Sequence, residues 1–291
     1  MSIDIGIILA IVAMLSWGVG DFLIQKSTRS IGNWETLFII TAFGAIVLLP
    51  FVWNDLPTLF ADSSYLLKTL TFSGLIIFIA ALLEFEALRE GKLSVVEPIW
   101  SLEIPAAALF AYLIIGETLT TSQMMLIVVL IAGLVAVSFR GGKVKARHFL
   151  EKGALIAVLA AICMGAANFF MGFSGREADS LVANFIACLV MAIITIIYIV
   201  AKKRTKKMIR DIKEQPRMLL TMSIFDNVAW VAFVAAMTLA PIGIVVALTE
   251  SYIIIVVILG LIINKEKLVR HQKFGLVVAV AAAIFLATVS G

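Results

Sequence analysis

Residues 93–123 read LSVVEPIWSLEIPAAALFAYLIIGETLTTSQ. The run is apolar and long enough to cross a bilayer as a helix, yet it contains groups that lipid rejects. Glu97 and Glu103 lie inside it, Pro98 and Pro105 interrupt its backbone hydrogen bonds, and Trp100 and Ser101 sit between them. A carboxylate at the centre of a bilayer costs about 2.5–3.5 kcal/mol, so it is tolerated when it faces a wet cavity or a partner. This helix therefore belongs inside a bundle. It also has an echo: Glu117-Thr118-Leu119 followed by Gln123 recurs 149 residues later as Glu266-Lys267-Leu268 followed by Gln272.

The whole chain shares the character of that stretch. Of its 291 residues 62% are apolar and 14% charged, with a mean hydropathy of +1.11. Soluble domains have about 45–50% apolar residues. The net charge of +4 comes from Lys and Arg gathered between apolar runs, where membrane topology explains them and nucleic-acid binding does not. Cys163 and Cys188 both fall in apolar runs, so neither a disulfide nor a metal site is expected. No cofactor is expected either. No phosphate-binding glycine loop or H-E-x-x-H motif occurs, and the two histidines, His148 and His271, fall between apolar runs, which argues against an enzyme. The first apolar run is too long for a cleaved signal and lacks a basic flank, so it reads as the first span.

About 20 apolar residues are needed to cross a core of roughly 30 Å. Ten runs meet this, near 4–26, 34–53, 66–89, 93–115, 121–140, 152–173, 180–201, 217–239, 242–264 and 271–289. The expected fold class is all-α, a polytopic membrane protein of ten transmembrane helices. The odd-numbered loops carry 21 of the 23 Lys and Arg residues, and the even-numbered loops hold only Lys68 and Arg176. The positive-inside rule places the odd loops in the cytoplasm and both termini outside, in the cell (plasma or inner) membrane.

The duplication covers nearly everything. Residues 6–29 align with 153–176 at an offset of 147, matching Gly18 with Gly165, Asp21 with Asn168, Phe22 with Phe169 and Ser27 with Ser174. Leu70-Thr71-Phe72-Ser73 is repeated as Leu220-Thr221-Met222-Ser223. The expected units are residues 1–147 and 148–291. Each has five spans, an odd number, so the second copy enters the membrane in the opposite sense. Inverted repeats of this kind are a common plan for carriers that alternate access around a site between the repeats.

On these residues the chain resembles the drug/metabolite transporter superfamily, and within it the EamA-type transporters with two five-helix repeats. The resemblance rests on Ser16-Trp17-Gly18 in the first span, on Gly116-Glu117 with Leu119 and Gln123 at the turn from the fourth span to the fifth, and on the corresponding positions of the second half. Met164 replaces the second copy of Trp17 and Lys265 that of Gly116, so the site is expected to be asymmetric. The resemblance implies a carrier; members move amino acids, sugars, amines or drugs.

The acids within the spans are the candidate machinery. Glu103, Asp226 and Glu250 fall near the middle of spans 4, 8 and 9, while Asp21, Glu84, Glu86 and Glu97 lie nearer the cytoplasmic ends. No Lys, Arg or His lies deep in any span. Such acids must be protonated, paired with a cation or hydrated, and each outcome suits a proton-coupled or cation-handling carrier. An anionic substrate is disfavoured. Trp17 shares a helix face with Asp21, Trp230 with Asp226, and Trp100 and Ser101 with Glu97. A tryptophan beside a carboxylate can seat an ammonium group. Asn168 and Tyr252 complete the candidate set. The bland alternative is that these acids serve only as hydrogen-bond partners of neighbouring helices.

Other features carry weaker signals. Glu117 and Glu266 read as helix-end or gate residues, Trp34 and Trp53 as interfacial belt residues, and Pro98, Pro105 and Pro241 as bending points. The stripes Gly153-Ala157-Ala161-Gly165 and Gly275-Ala279-Ala283-Ala287 read as packing seams. The expected function is proton-coupled transport of a small amine or amino-acid-like solute by a monomer or homodimer, with solute, protons and bilayer as its partners. The alternatives are a carrier of a neutral solute, using the acids only for coupling, and a membrane subunit that transports nothing.

Overall fold

The first helix opens on Asp4, whose side chain accepts a hydrogen bond from the Gly6 amide at 2.9 Å and so satisfies one of the helix's orphan donors. From there the computed structural model is helical nearly throughout; it describes residues 4–62, 64–90, 99–138, 152–255 and 268–290. The helices are α1 (Ile5–Ser30), α2 (Asn33–Val52), α3 (Leu56–Asp62), α4 (Ser64–Glu90), α5 (Glu103–Ile115) and α6 (Thr121–Ser138). They continue as α7 (Lys152–Glu177), α8 (Ser180–Ala201), α9 (Thr205–Glu214), α10 (Pro216–Leu239), α11 (Ile242–Thr249) and α12 (Arg270–Ser290). No strand occurs among the described residues.

Eight of these helices (α1, α2, α4, α6, α7, α8, α10 and α12) are long and apolar enough to cross a membrane. The fourth segment of each half is broken beside its acid, and in the first half the break falls between the two prolines, at Leu102–Glu103. Before Glu103 the chain makes a tight turn, with the Leu102 amide donating to the Ile99 carbonyl at 3.0 Å. After α11, Ser251 donates to Leu248 at 3.2 Å and Ile254 to Ser251 at 2.9 Å, and the helix resumes over 252–255. These i to i+3 bonds are tighter than the α-helical pattern and mark a break. Glu103 is the first residue of α5, and Glu250 directly follows α11, 147 residues later. Pro105 sits in the first turn of α5, where its missing amide costs little. Pro241 likewise caps the start of α11 instead of bending its interior. Glu97, Pro98, Lys265, Glu266 and His148 lie outside the described residues.

Two glycines shape the turns. Gly32, at φ 107°, lets the chain reverse between α1 and α2, where the Ser27 and Thr36 hydroxyls meet at 2.9 Å. Gly116, at φ 69°, ends α5: its amide bonds the Tyr112 carbonyl at 3.1 Å and that of Glu117 the Ala111 carbonyl at 3.2 Å. This is the paired closure that a left-handed glycine permits.

The two halves interleave. The most extensive packing sets α1 on α10, α4 on α7, α12 on α6 and α2 on α8, and the next sets α5 on α7. Each of these pairs joins one half to the other. Small residues make the close approaches possible: a Cβ on Gly165 would lie 2.9 Å from the Glu103 carbonyl oxygen, and one on Gly133 2.7 Å from the Ala279 amide nitrogen. The seams at Ala157, Ala161, Gly165, Gly275 and Ala279 thus find partners within the molecule.

Candidate functional site

A cavity of about 160 Å³ lies among α1, α2, α4, α5, α7, α8 and α10, comparable to an engineered cavity of about 150 Å³ that admits benzene. Glu103, Asp226 and Glu250 all line it, and Glu84 joins them from α4. Each of the three mid-span acids is more than nine-tenths buried. Among the described residues the lining contains no Lys, Arg or His. A lining that gathers four carboxyl groups is the kind of surroundings that suits protons or a cation.

The broken helices set two of these acids. Glu103 enters the cavity because α5 starts at it, and Glu250 because α11 stops at it. Asn168 Nδ2 donates to Glu103 Oε2 at 3.4 Å, a long bond that orients the carboxyl from α7. Trp17 and Trp230 form the aromatic wall: their rings meet edge to face at 5.2 Å and 84°, and Phe233 lies 4.9 Å from Trp17. Tyr252 lines the cavity just beyond the second break.

Not every candidate belongs to this group. Trp100 and Ser101 are buried but do not line the cavity; Trp100 packs with Ala87, Ala157 and Ala161. The Asp21 side chain and Glu97 lie outside the described residues. Trp34 stacks on Tyr198 at 3.7 Å, whereas Trp53 is exposed.

The structure adds lining residues that the acid search passed over, among them Leu37, Thr41, Asn184 and Cys188. A signal for them was available. Trp17 and Met164, Ile24 and Met171, Leu37 and Asn184, Ile40 and Ala187, Thr41 and Cys188, and Glu103 and Glu250 all line the cavity, and each pair is 147 residues apart. Extending the offset seen in the first spans to the second spans and the broken helices would have found them.

Polar clamps flank the cavity at the two ends of the bundle. At one end Arg176 pairs with Glu117 at 3.0 Å and donates to the Met237 and Ala240 carbonyls at 2.7 and 2.9 Å. The start of α1 and the end of α12 lie here, since Gly6 packs against Ala240 and Ser290 accepts from Gln123 at 3.3 Å. At the other end Arg204 meets the fully buried Glu35 at 2.8 Å, and Lys207 donates to the Ile31 carbonyl at 2.8 Å.

Comparison with known proteins agrees with this architecture. The sequence model of the EamA-like transporter family matches residues 4–139 and again residues 151–288. The uncharacterized protein MJ1333.1 of Methanocaldococcus jannaschii is 28% identical over 137 residues, spanning 46% of this chain and 97% of its own length. It is similar, then, to about one half of this molecule. A protein of known crystal structure superposes with a TM-score of 0.74 over 98% of this chain and 96% of its own, at 15% identity, and so shares the fold.

Proposed function

The chain belongs to the EamA-like transporter family and is a multi-pass membrane transporter, and on that premise we propose that it carries a small amine or amino-acid-like solute across the cell membrane in exchange for protons. In this reading the two broken segments complete a set of ten spans, arranged as two five-helix repeats inserted in opposite senses. The basic loops face the cytoplasm and both termini lie outside. Solute occupies the cavity, with its ammonium group between the carboxyls and the Trp17–Trp230 wall, and a proton replaces it as the site reopens. The single observation that carries the reading is one cavity lined together by Glu103, Asp226 and Glu250, with Glu84 and the Trp17–Trp230 wall.

The acids and the solute compete for the same space, which couples them without further parts. A proton on one of these carboxyls and an ammonium group beside it satisfy the same negative charge, so each excludes the other. Breaks at Glu103 and Glu250 place backbone ends beside the site, as in other carriers with discontinuous helices. Access from the two sides alternates as the Arg176–Glu117 clamp and the Glu35–Arg204 clamp open in turn.

The test is a thermal-shift screen of purified protein against amines and amino acids, followed by flux in proteoliposomes acidified on one side. A stabilising ligand whose effect disappears in Glu103→Gln, Asp226→Asn or Glu250→Gln supports the reading. Stabilisation by uncharged solutes alone would move the substrate to the neutral class. Flux that ignores the proton gradient removes the coupling.

A further inference from the structure

The helix α9 has more structure than a topogenic basic loop requires. It is ten residues long and strung between two spans, separated from α8 by three residues and from α10 by one, so its connections hold it at the membrane boundary. Lys203 takes a left-handed backbone, φ 57°, at the corner where α8 gives way to α9. One face packs inward: Met208 and Asp211 are buried, Lys207 bridges Asp211 and the Ile31 carbonyl at 2.8 Å each, and Arg204 reaches Glu35. The outer surface divides in two. Ile209 and Ile212, 47% and 36% exposed, form an apolar stripe at i, i+3. Lys206, Arg210 and Lys213 form an exposed basic stripe at i, i+4 and i+7 beside it.

We propose that α9 lies in the headgroup layer as an anionic-lipid docking surface, with Ile209 and Ile212 at the acyl boundary and Lys206, Arg210 and Lys213 on phospholipid phosphates. Charges that only fix orientation need neither a helix nor two exposed isoleucines one turn apart. A helix with an apolar edge flanked by Lys and Arg is what interfacial binding to anionic lipid selects. Its inner face grips the α1–α2 turn through Lys207 and Arg204. Lipid bound outside would therefore steady the clamp at that end of the cavity. The inference is independent of the solute and proton assignment.

Hydrogen exchange of the full chain in nanodiscs tests it. Exchange across residues 205–214 should be about tenfold slower in bilayers containing phosphatidylglycerol than in pure phosphatidylcholine. Adding inorganic phosphate to the phosphatidylcholine nanodiscs should change nothing, since the site requires a lipid layer. In a variant carrying Lys206→Gln, Arg210→Gln and Lys213→Gln the lipid difference should vanish. A variant carrying Ile209→Ser and Ile212→Ser should exchange faster in both bilayers. Equal exchange of the parent chain in the two lipids, a lipid difference that survives the charge removal, or indifference to the serine variant would each overturn the proposal.

Discussion

At the scale of single residues, the tightest point outside the acids is Gly44. A Cβ there would collide with Asn227 Oδ1 and lie 2.7 Å from the Cys188 sulfur. Asn227 is committed on its other side, donating to the Ile40 carbonyl at 3.1 Å and the Ser223 carbonyl at 2.8 Å. It cannot retreat without leaving buried groups unpaired. Gly44→Ala should therefore cost about 1–3 kcal/mol, the range for an overpacked core, read as a fall in the midpoint of thermal unfolding in detergent. Gly116 is the contrasting case, since nothing lies within 4 Å of its missing Cβ and only its positive φ resists a side chain. Gly116→Ala should cost about 1 kcal/mol through the backbone alone, and Gly116→Asn should recover part of it, because asparagine tolerates that conformation. Equal losses for the Ala and Asn variants would show that the backbone is not the cause.

Among the elements, the α6–α12 pair is the clearest case of small residues setting a distance. A Cβ on Gly133 would lie 2.7–2.9 Å from the Ala279 amide nitrogen and Cα, and one on Gly275 2.9 Å from the Gly133 carbonyl oxygen. Backbones that close have no flexible atom to yield. Gly133→Val should separate the two helices and destabilise the protein more than Gly116→Ala does, in the same thermal assay. The broken elements have a separate cause. Pro105 suits the first turn of a helix and Gly116 its end, so α5 is marked as a short helix from both sides. The prolines announce an interruption in the sequence, but Trp100, Leu102 and Ile104 keep the run apolar across it, so its position was not legible there.

For the molecule as a whole, the interleaving of the two halves makes one native thiol a reporter of access. Cys188 lines the cavity and Cys163 does not. In a Cys163→Ala background, modification of Cys188 by a small uncharged thiol reagent should slow when solute is bound. It should quicken in Arg176→Gln, which releases Glu117 and two carbonyls at one end together. The pair is largely buried, with its side chains 28% and 13% exposed, and its loss strands two carbonyls as well, so thermal stability should fall by about 1–3 kcal/mol while the labelling rate reports access. A rate unmoved by Arg176→Gln would mean that this clamp does not control entry.

The sequence by itself determined that the chain is helical, membrane-embedded and duplicated, because hydrophobic length and the recurrence of residues are local properties that survive in one dimension. It also identified Glu103, Asp226 and Glu250 as anomalies, since an acid in an apolar run is conspicuous without any fold. Which anomalies meet was another matter. Trp100 and Glu103 are three residues apart, yet Trp100 packs into a separate cluster while Glu103 joins the cavity. The helix break between them changes the direction in which successive side chains point. Thr41, Asn184 and Cys188 are ordinary in sequence and become cavity walls only because α2 packs on α8 across the two halves. Adjacency across copies is decided by packing, and only the tertiary structure contains it.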